Sequence, residues 1–137
     1  MTVASKIQEK TSDINILVAE DEYLYQEIIQ RYVKVLDGLR LTIVDNGHKC
    51  IAKAKEQSYD VILMDIVMPG KDGYETTKEI RKIGINTPII AITANIWPED
   101  ELHSRKSGMN DFLPKPFNAQ KLAGKINYWI KNREKTA

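Results

Sequence analysis

The sequence has 137 residues, enough for one domain with a buried core, and its 42% hydrophobic and 28% charged residues are typical of globular proteins. Its 20 basic and 19 acidic side chains give a formal net charge of +1, which argues against a surface built to bind nucleic acid or an anionic membrane. The single cysteine, Cys50, excludes an internal disulfide and a cysteine metal cluster.

The distribution of apolar and polar residues along the chain indicates where the domain and its tails begin and end. No apolar stretch reaches the roughly 20 residues that span a bilayer, and the opening residues MTVASKIQEKTSD lack the apolar centre of a signal peptide. We therefore expect a cytoplasmic location. Residues 1–13 are predicted to be a polar tail or linker, residues 14–131 one domain, and residues 132–137 a C-terminal tail.

Short apolar runs recur at even spacing and predict the strands of a sheet. Several of them are apolar without alternation, which is typical of strands covered on both faces, as in a parallel sheet. In chain order the runs are Ile14–Ala19, Leu39–Val44, Val61–Met64, Ile89–Ile92 and the weaker Asp111–Leu113.

Segments of helical periodicity separate and follow these strands. In the first helix we expect Leu24 to face the core, and in the fourth helix, Pro98–Ser107, Leu102 is the only clear apolar anchor, so that helix should be loosely held. The apolar positions that mark the other helices are Ile51 and Ala54 for the second, Tyr74, Thr77, Ile80 and Ile83 for the third, and Leu122, Ile126, Trp129 and Ile130 for the last.

Strand followed by helix, five times over, predicts an α/β fold: a doubly wound, five-stranded parallel sheet with helices on both faces. With strand order 2-1-3-4-5, strands one and three are neighbours where the order reverses, and ligands of such sheets bind beyond the carboxyl ends of the strands there. The side chains delivered to that edge are Glu20 and Asp21 after the first strand, Asp65 after the third, Thr93 after the fourth and Lys115 after the fifth.

This set of side chains predicts phosphate chemistry. Three close carboxylates raise one another's pKa unless a cation joins them, and oxygen ligands without His or Cys favour Mg²⁺ or Mn²⁺. Thr93 and Lys115 add a hydrogen-bond donor and a fixed positive charge for phosphate oxygens, so that Asp65 becomes a carboxylate nucleophile for a phosphoryl group. Pro69, Gly70 and Gly73 are expected to turn the chain sharply, so that the loop can bend over the metal without crowding Asp65.

The chain resembles the response-regulator receiver domains of two-component signalling. The matching stretches are ILVAEDE, DVILMDIVMPGKDGYE, TPIIAITAN and GMNDFLPKPF, and together they cover roughly residues 14 to 131. The amino-acid sequences of these stretches are most similar to those of receivers in hybrid sensor histidine kinases. The resemblance implies a flavodoxin-like receiver fold.

The resemblance also assigns roles to the acids. It implies that Asp65 is the phospho-acceptor and that Asp21 is a direct Mg²⁺ ligand, with Glu20 acting through water. The backbone carbonyl of Val67 would be a further Mg²⁺ ligand.

The same resemblance implies a conformational switch. Thr93 would bind the phosphoryl group and move, Lys115 would pair with that group, and Phe112 holds the position of the family's rotating aromatic residue, although plain edge packing stays open for it. Lys115–Pro116 matches a cis peptide of the family. Trp97, four residues after Thr93, is expected to change its surroundings when the loop moves.

At some positions this chain differs from the receivers of hybrid kinases, and these differences affect which partner protein we expect it to bind. Those receivers often have Asn where this chain has Glu22 and Tyr25, and commonly have Met where it has Lys71. Whether Tyr23 or Tyr25 stays exposed as a docking surface is open at this stage. The expected partner is a histidine kinase or a histidine phosphotransfer protein, with no nucleic acid and no membrane contact, and the chain is expected to be a monomer or weak dimer.

The expected function is therefore that of a phosphoacceptor signalling module that catalyses only its own phosphorylation and dephosphorylation. A Mg²⁺-dependent aspartyl-phosphate phosphohydrolase is the alternative, but it needs a second acid two residues after the nucleophile, where this chain has Val67. A flavin carrier of the same fold needs a Gly/Ser/Thr-rich phosphate loop after the first strand, where this chain has EDEYLYQ.

Overall fold

The computed structural model describes residues 13–94 and 98–136. Most of the expected N-terminal tail lies outside the described residues. Trp97, whose surroundings are expected to change when the loop moves, also lies outside them. Within the described part, no helix combines the length and the apolar character needed to cross a membrane.

Strands and helices alternate along the described chain, as the sequence predicted. The strands are β1 (Ile14–Ala19), β2 (Leu39–Val44), β3 (Val61–Asp65), β4 (Ile89–Thr93) and β5 (Asp111–Pro114). The helices are α1 (Tyr23–Val35), α2 (Gly47–Glu56), α3 (Gly73–Lys82), α4 (Pro98–Ser107) and α5 (Ala119–Thr136), so α5 continues past residue 131, where the domain was expected to end.

The five strands form one parallel sheet of order β2-β1-β3-β4-β5, which confirms the predicted doubly wound fold. In the register, Ala19 at the end of β1 lies opposite Met64, one residue before Asp65. The ends of β1 and β3 therefore meet at the same edge of the sheet, and β4 brings Thr93 there as the next strand along.

Side chains of the central strands alternate between two cores, one on each face of the sheet. Leu17, Ile62 and Met64 pack on the face covered by α2 and α3, where Cys50 is also fully buried. The other core, on the face of α1 and α5, contains Ile14, Ile16, Val18, Ile29, Val61, Leu63, Ile90, Ile92, Leu113, Phe117, Leu122, Ile126 and Ile130.

The prediction that Leu24 faces the core was wrong, since 63% of it is exposed. The inward face of α1 is set by Tyr25, Ile29, Tyr32 and Leu36, which recur at helical spacing, and Leu24 lies beside that stripe. On α3 the predicted stripe also ends early, because Ile83 lies just past the helix and is 46% exposed.

Leu102 does not anchor α4, because it is 56% exposed. Among the side chains that the structure describes in this helix, the buried ones are instead Ser104 and Ser107, whose hydroxyls donate to backbone carbonyls of the same helix at 2.7 Å. His103 stacks on Tyr74 of α3, with 3.9 Å between the ring centroids. Contacts of α4 with its neighbour α3 are thus largely polar and aromatic, which apolar periodicity could not reveal.

Gly73 is the residue that lets α3 begin directly beside the end of β3. A Cβ atom at Gly73 would overlap the Asp65 carbonyl oxygen and lie 2.8 Å from the Ile66 Cα atom. The Gly73 N–H donates to the Ile66 carbonyl at 2.8 Å, so this close approach also closes the loop.

Gly73→Ala should destabilise the fold by about 1 to 3 kcal/mol, the usual cost of forcing an extra carbon into packed surroundings. Gly124→Ala is the matched control, because Gly124 lies in α5 with open space where its Cβ would be. That control should stabilise the fold by about 0.5 to 1 kcal/mol. Urea unfolding of both variants measures the two effects, and equal stability of the Gly73 variant and the parent chain would show that the contact is not tight.

Candidate functional site

The carboxyl ends of β1 and β3 bring Glu20, Asp21 and Asp65 together. One carboxylate oxygen from each lies within 4.8 Å of the others. Glu20 is fully buried, Asp65 is buried and Asp21 is exposed. The convergence predicted from the strand order is therefore present in the structure, at the edge where the strand order reverses.

The Lys115 side chain lies among these acids. Its Nζ atom is 2.7 Å from Glu20 Oε1, 3.3 Å from Glu22 Oε1 and 3.7 Å from Asp65 Oδ2. Burial lowers the pKa of Lys115, but its hydrogen bonds and charge interactions with these carboxylates outweigh burial, so the net shift is upward. Lys115 directly follows β5, and β5 pairs with β4, so the backbone brings this residue to the carboxyl edge of the sheet. The peptide bond between Lys115 and Pro116 is cis, as expected.

The charges of the site do not balance. Burial and, after it, the Glu20 carboxylate raise the pKa of Asp65 from its ordinary value of 3.8 to about 8, although Lys115 and the N–H of Val67, 3.3 Å from Asp65 Oδ1, partly oppose the rise. Glu20 Oε1 has the Lys115 ammonium as an ionic neighbour but no well-oriented hydrogen bond among the described residues. An oxygen-only set with excess negative charge fits a hard divalent cation such as Mg²⁺.

Two other expected site residues, Thr93 and Val67, border the same cleft, which has a volume of about 290 Å³. Thr93 lies at its wall and is 3% exposed, whereas Val67 stands at the rim and is 66% exposed. Phe112 does not line this cleft. It is half-buried on β5, opposite Ala91, and Ala91 lies two residues before Thr93 on the same face of β4.

The loop after Asp65 alternates buried and exposed side chains. Ile66 and Met68 are buried against the core on the α2 and α3 face, and this places Val67 between them at the rim of the cleft. Gly70 has a φ of 76°, a left-handed conformation that glycine adopts without strain, so the loop can reverse there. The turn predicted from the glycines is thus present.

Sequence reasoning missed the part that Glu22 and Tyr25 play in the site. Glu22 appeared only as a departure from a family pattern, yet its carboxylate contacts Lys115. Tyr25 was weighed as a docking residue, but it is half-buried, with the Lys115 ammonium 4.2 Å from its ring centre. Their position in the sequence could have indicated this role, because both residues follow Glu20 and Asp21 within about one helical turn.

The strand order and the acid-lined cleft at the switch point define the class of a two-component receiver domain. Comparison with known families agrees, because the response regulator receiver domain model matches residues 16–127. The chain belongs to the response regulator receiver domain family.

Relatives of this chain include two yeast proteins. The chain is 37% identical over 128 residues to the osmosensing histidine protein kinase SLN1 and 34% identical over 119 residues to the transcription factor SKN7, both of Saccharomyces cerevisiae. These matches cover 88% and 87% of this chain but 10% and 19% of those proteins, so the chain spans only a small part of their length.

Among solved structures, the receiver domain of the sensor histidine kinase PA1611 from Pseudomonas aeruginosa is 38% identical to this chain, with a TM-score of 0.80. The match covers 88% of this chain and 99% of that one. That structure is described as having a magnesium ion coordinated in its active site cleft.

Asp65→Asn should stabilise the metal-free fold at pH 8. The Asp65 pKa is raised on folding, so the folded chain binds this proton more tightly than the unfolded chain, and stability falls as pH rises from about 4 to about 8. One pKa unit corresponds to about 1.4 kcal/mol, and we expect the variant to gain at least about that much in a chelator at pH 8.

Urea unfolding between pH 5 and pH 8 tests this, and the gain should shrink toward pH 5. Exposed Asp37 provides the control, since Asp37→Asn makes the same chemical change at the far end of α1 and should show no such pH-dependent gain. An Asp65→Asn variant that is no more stable than the parent at pH 8 would contradict the charge imbalance.

Proposed function

We propose that this receiver domain accepts a phosphoryl group on Asp65 from a histidine of a kinase or of a phosphotransfer protein. The observation that carries the proposal is the position of the Asp65 carboxylate, beside Glu20 and Lys115 and in one cleft with Thr93. A carboxylate nucleophile, a cation and a hydroxyl donor are the groups that phosphoryl transfer needs.

In the transfer step, a carboxylate oxygen of Asp65 attacks phosphorus and forms a new P–O bond. The P–N bond to the donor histidine breaks, and the imidazole nitrogen keeps the electron pair. With acetyl phosphate as donor, the P–O bond to the acetyl group breaks and acetate leaves. Lys115 pairs with the phosphoryl oxygens, and the Thr93 hydroxyl donates a hydrogen bond to one of them, which offsets their charge.

The acids fit the expected metal. Asp21, Asp65 and the Val67 carbonyl would hold Mg²⁺ directly, with Glu20 acting through water, and the bound ion would neutralise charge on both the acids and the phosphoryl oxygens. Hydrolysis of the aspartyl phosphate by water would return Asp65 to its starting state. Turnover of outside substrates is disfavoured by Val67, an apolar side chain where a phosphohydrolase needs a second acid.

The switch is proposed to run from Thr93 to Phe112. The two side chains belong to one face of neighbouring strands, since Ala91 pairs with Phe112 and Thr93 pairs with Pro114 in the register. A Thr93 hydroxyl drawn toward the phosphoryl group would leave space above Ala91, and Phe112 would turn into it.

With Mg²⁺ and acetyl phosphate, the chain should gain one phosphoryl group, located on Asp65. Intact-mass measurement counts the groups and peptide mapping locates them. Asp65→Asn should abolish the labelling, whereas Asp37→Asn, at an exposed position outside the cleft, should leave it unchanged. Undiminished labelling of the Asp65→Asn chain would rule out this acceptor.

Exposed apolar side chains stand on the two segments that follow β1 and β3, next in sequence to the acids of the cleft, and we call this set the rim. It consists of Tyr23 and Leu24 at the start of α1 and Val67 after β3, with exposed fractions of 72%, 63% and 66%. A histidine that reaches Asp65 must pass this rim, and clustered exposed apolar side chains mark interaction surfaces. We therefore assign the rim to the protein donor, and Tyr25, in contact with Lys115, to the site itself.

Leu24→Ser should slow transfer from a phosphorylated histidine phosphotransfer protein by about tenfold, the effect of losing about 1.4 kcal/mol of binding. Labelling by acetyl phosphate should stay the same, because Leu24 does not line the cleft. Val35→Ser is the matched control: Val35 is also 63% exposed on α1, but at the opposite end of the helix. Equal slowing by both variants would show that the rim is not the docking surface.

A further inference from the structure

Glu22 occupies the N-cap position of α1, yet its side chain makes no capping hydrogen bond. A side chain at this position usually accepts from an N–H group in the first turn of the helix. The Glu22 carboxylate is instead 3.3 Å from Lys115 Nζ, and its backbone N–H donates to Glu20 Oε2 at 3.0 Å. Glu22 is therefore oriented toward the cleft rather than toward its own helix.

The ammonium of Lys115 is held on several sides by groups other than Asp65. Glu20 is its nearest acid at 2.7 Å, Glu22 follows at 3.3 Å, and Asp65 is the most distant at 3.7 Å. The Tyr25 ring lies 4.2 Å from the ammonium. A phosphoryl group on Asp65 must therefore draw Lys115 away from established partners.

Glu22 is the partner of Lys115 that can be displaced. Glu20 is fully buried and accepts the N–H of Glu22, so it is fixed in place, whereas the Glu22 side chain is 58% exposed at the mouth of the cleft. The Lys115 end of this ion pair is buried, but the Glu22 end faces solvent, where water and salt weaken its charge interaction. The Lys115–Glu22 contact can therefore be exchanged for a phosphoryl contact at small cost.

We propose that Glu22 is a positioning residue that competes with the phosphoryl group for Lys115 and so limits the rate of Asp65 phosphorylation. The inference rests on the proposed function. Glu22 would act in two ways: it holds Lys115 toward the mouth of the cleft, and it adds a fourth carboxylate to those of Glu20, Asp21 and Asp65 where an anionic donor must enter.

The test compares Glu22→Gln with the parent chain at saturating Mg²⁺, with acetyl phosphate as donor and intact mass as the readout of phosphorylation rate. At low ionic strength the variant should react about three- to tenfold faster, at the low end of the effects that electrostatic steering produces. The gain should shrink as salt is added, because the screening length falls from about 30 Å at 0.01 M to about 3 Å at 1 M ionic strength.

Three comparisons separate this role from a structural one. Glu22→Asp keeps the charge and should restore most of the slow rate. Glu56→Gln makes the same change in net charge at the exposed end of α2, outside the cleft, and should leave the rate unchanged. Phosphoramidate carries less negative charge than acetyl phosphate, so the Glu22→Gln gain should be smaller with it.

A binding measurement gives a readout that does not depend on turnover. Beryllofluoride mimics the phosphoryl group, and fluorine NMR at saturating Mg²⁺ should show that Glu22→Gln binds it about three- to tenfold more tightly than the parent chain, since steering and charge competition act in the same direction.

Unchanged rate and affinity in Glu22→Gln, or an equal gain in Glu56→Gln, would overturn the inference while leaving Asp65 labelling intact. A parent chain that acetyl phosphate does not label on Asp65 would contradict the proposed function, and the inference would be lost with it.

Discussion

The contact between Lys115 and Glu20 is the interaction on which the carboxyl edge of the sheet depends. It joins β5, at one end of the sheet, to β1 near the other, across the ends of β3 and β4. Both side chains are buried, so removing Lys115 would leave the Glu20 carboxylate buried without its cation, which costs about 3 to 5 kcal/mol. One ammonium cannot offset three carboxylates, however, so a deficit of positive charge remains, and burial followed by the Glu20 carboxylate raises the pKa of Asp65. The same deficit that destabilises the metal-free fold favours a cation.

Contacts elsewhere in the fold stabilise the sheet despite the excess negative charge at its carboxyl edge. β1, β3 and β4 are covered on both faces and contribute close to half of the buried residues of the two cores. At the opposite end, the Arg81 guanidinium donates to the carbonyls of Gly108, Ile85 and Thr87 and to Asn110 Oδ1, at distances between 2.7 and 3.0 Å. These bonds connect the end of α3 to the loops that precede β4 and β5. Hydrogen bonds of Arg81 thus fix the amino-terminal ends of these strands. The carboxyl ends of the strands present the polar side chains of the cleft.

The strands and the site acids could be predicted from sequence because their signals are local. A buried parallel strand is a short apolar run, and the residue after such a run lies at the sheet edge, which located Asp65 and Lys115. The positions of Leu24 and Leu102 could not be predicted in this way, because the face that a helix buries depends on how it crosses the sheet. The Glu22–Lys115 contact joins residues 93 positions apart, and no local pattern encodes it.

The two helices that flank β5 are attached by different kinds of contact, and this sets which of them can respond to the site. α5 buries Leu122, Ile126 and Ile130 in the core, so moving it would expose apolar surface. α4 is joined to α3 by the stack of His103 on Tyr74 and by the hydrogen bond from the Tyr74 hydroxyl to Asp100 at 3.3 Å. Directional polar contacts can be exchanged for others, including water, at lower cost than buried apolar ones. If Thr93 moves as proposed, α4 is the element that can follow it.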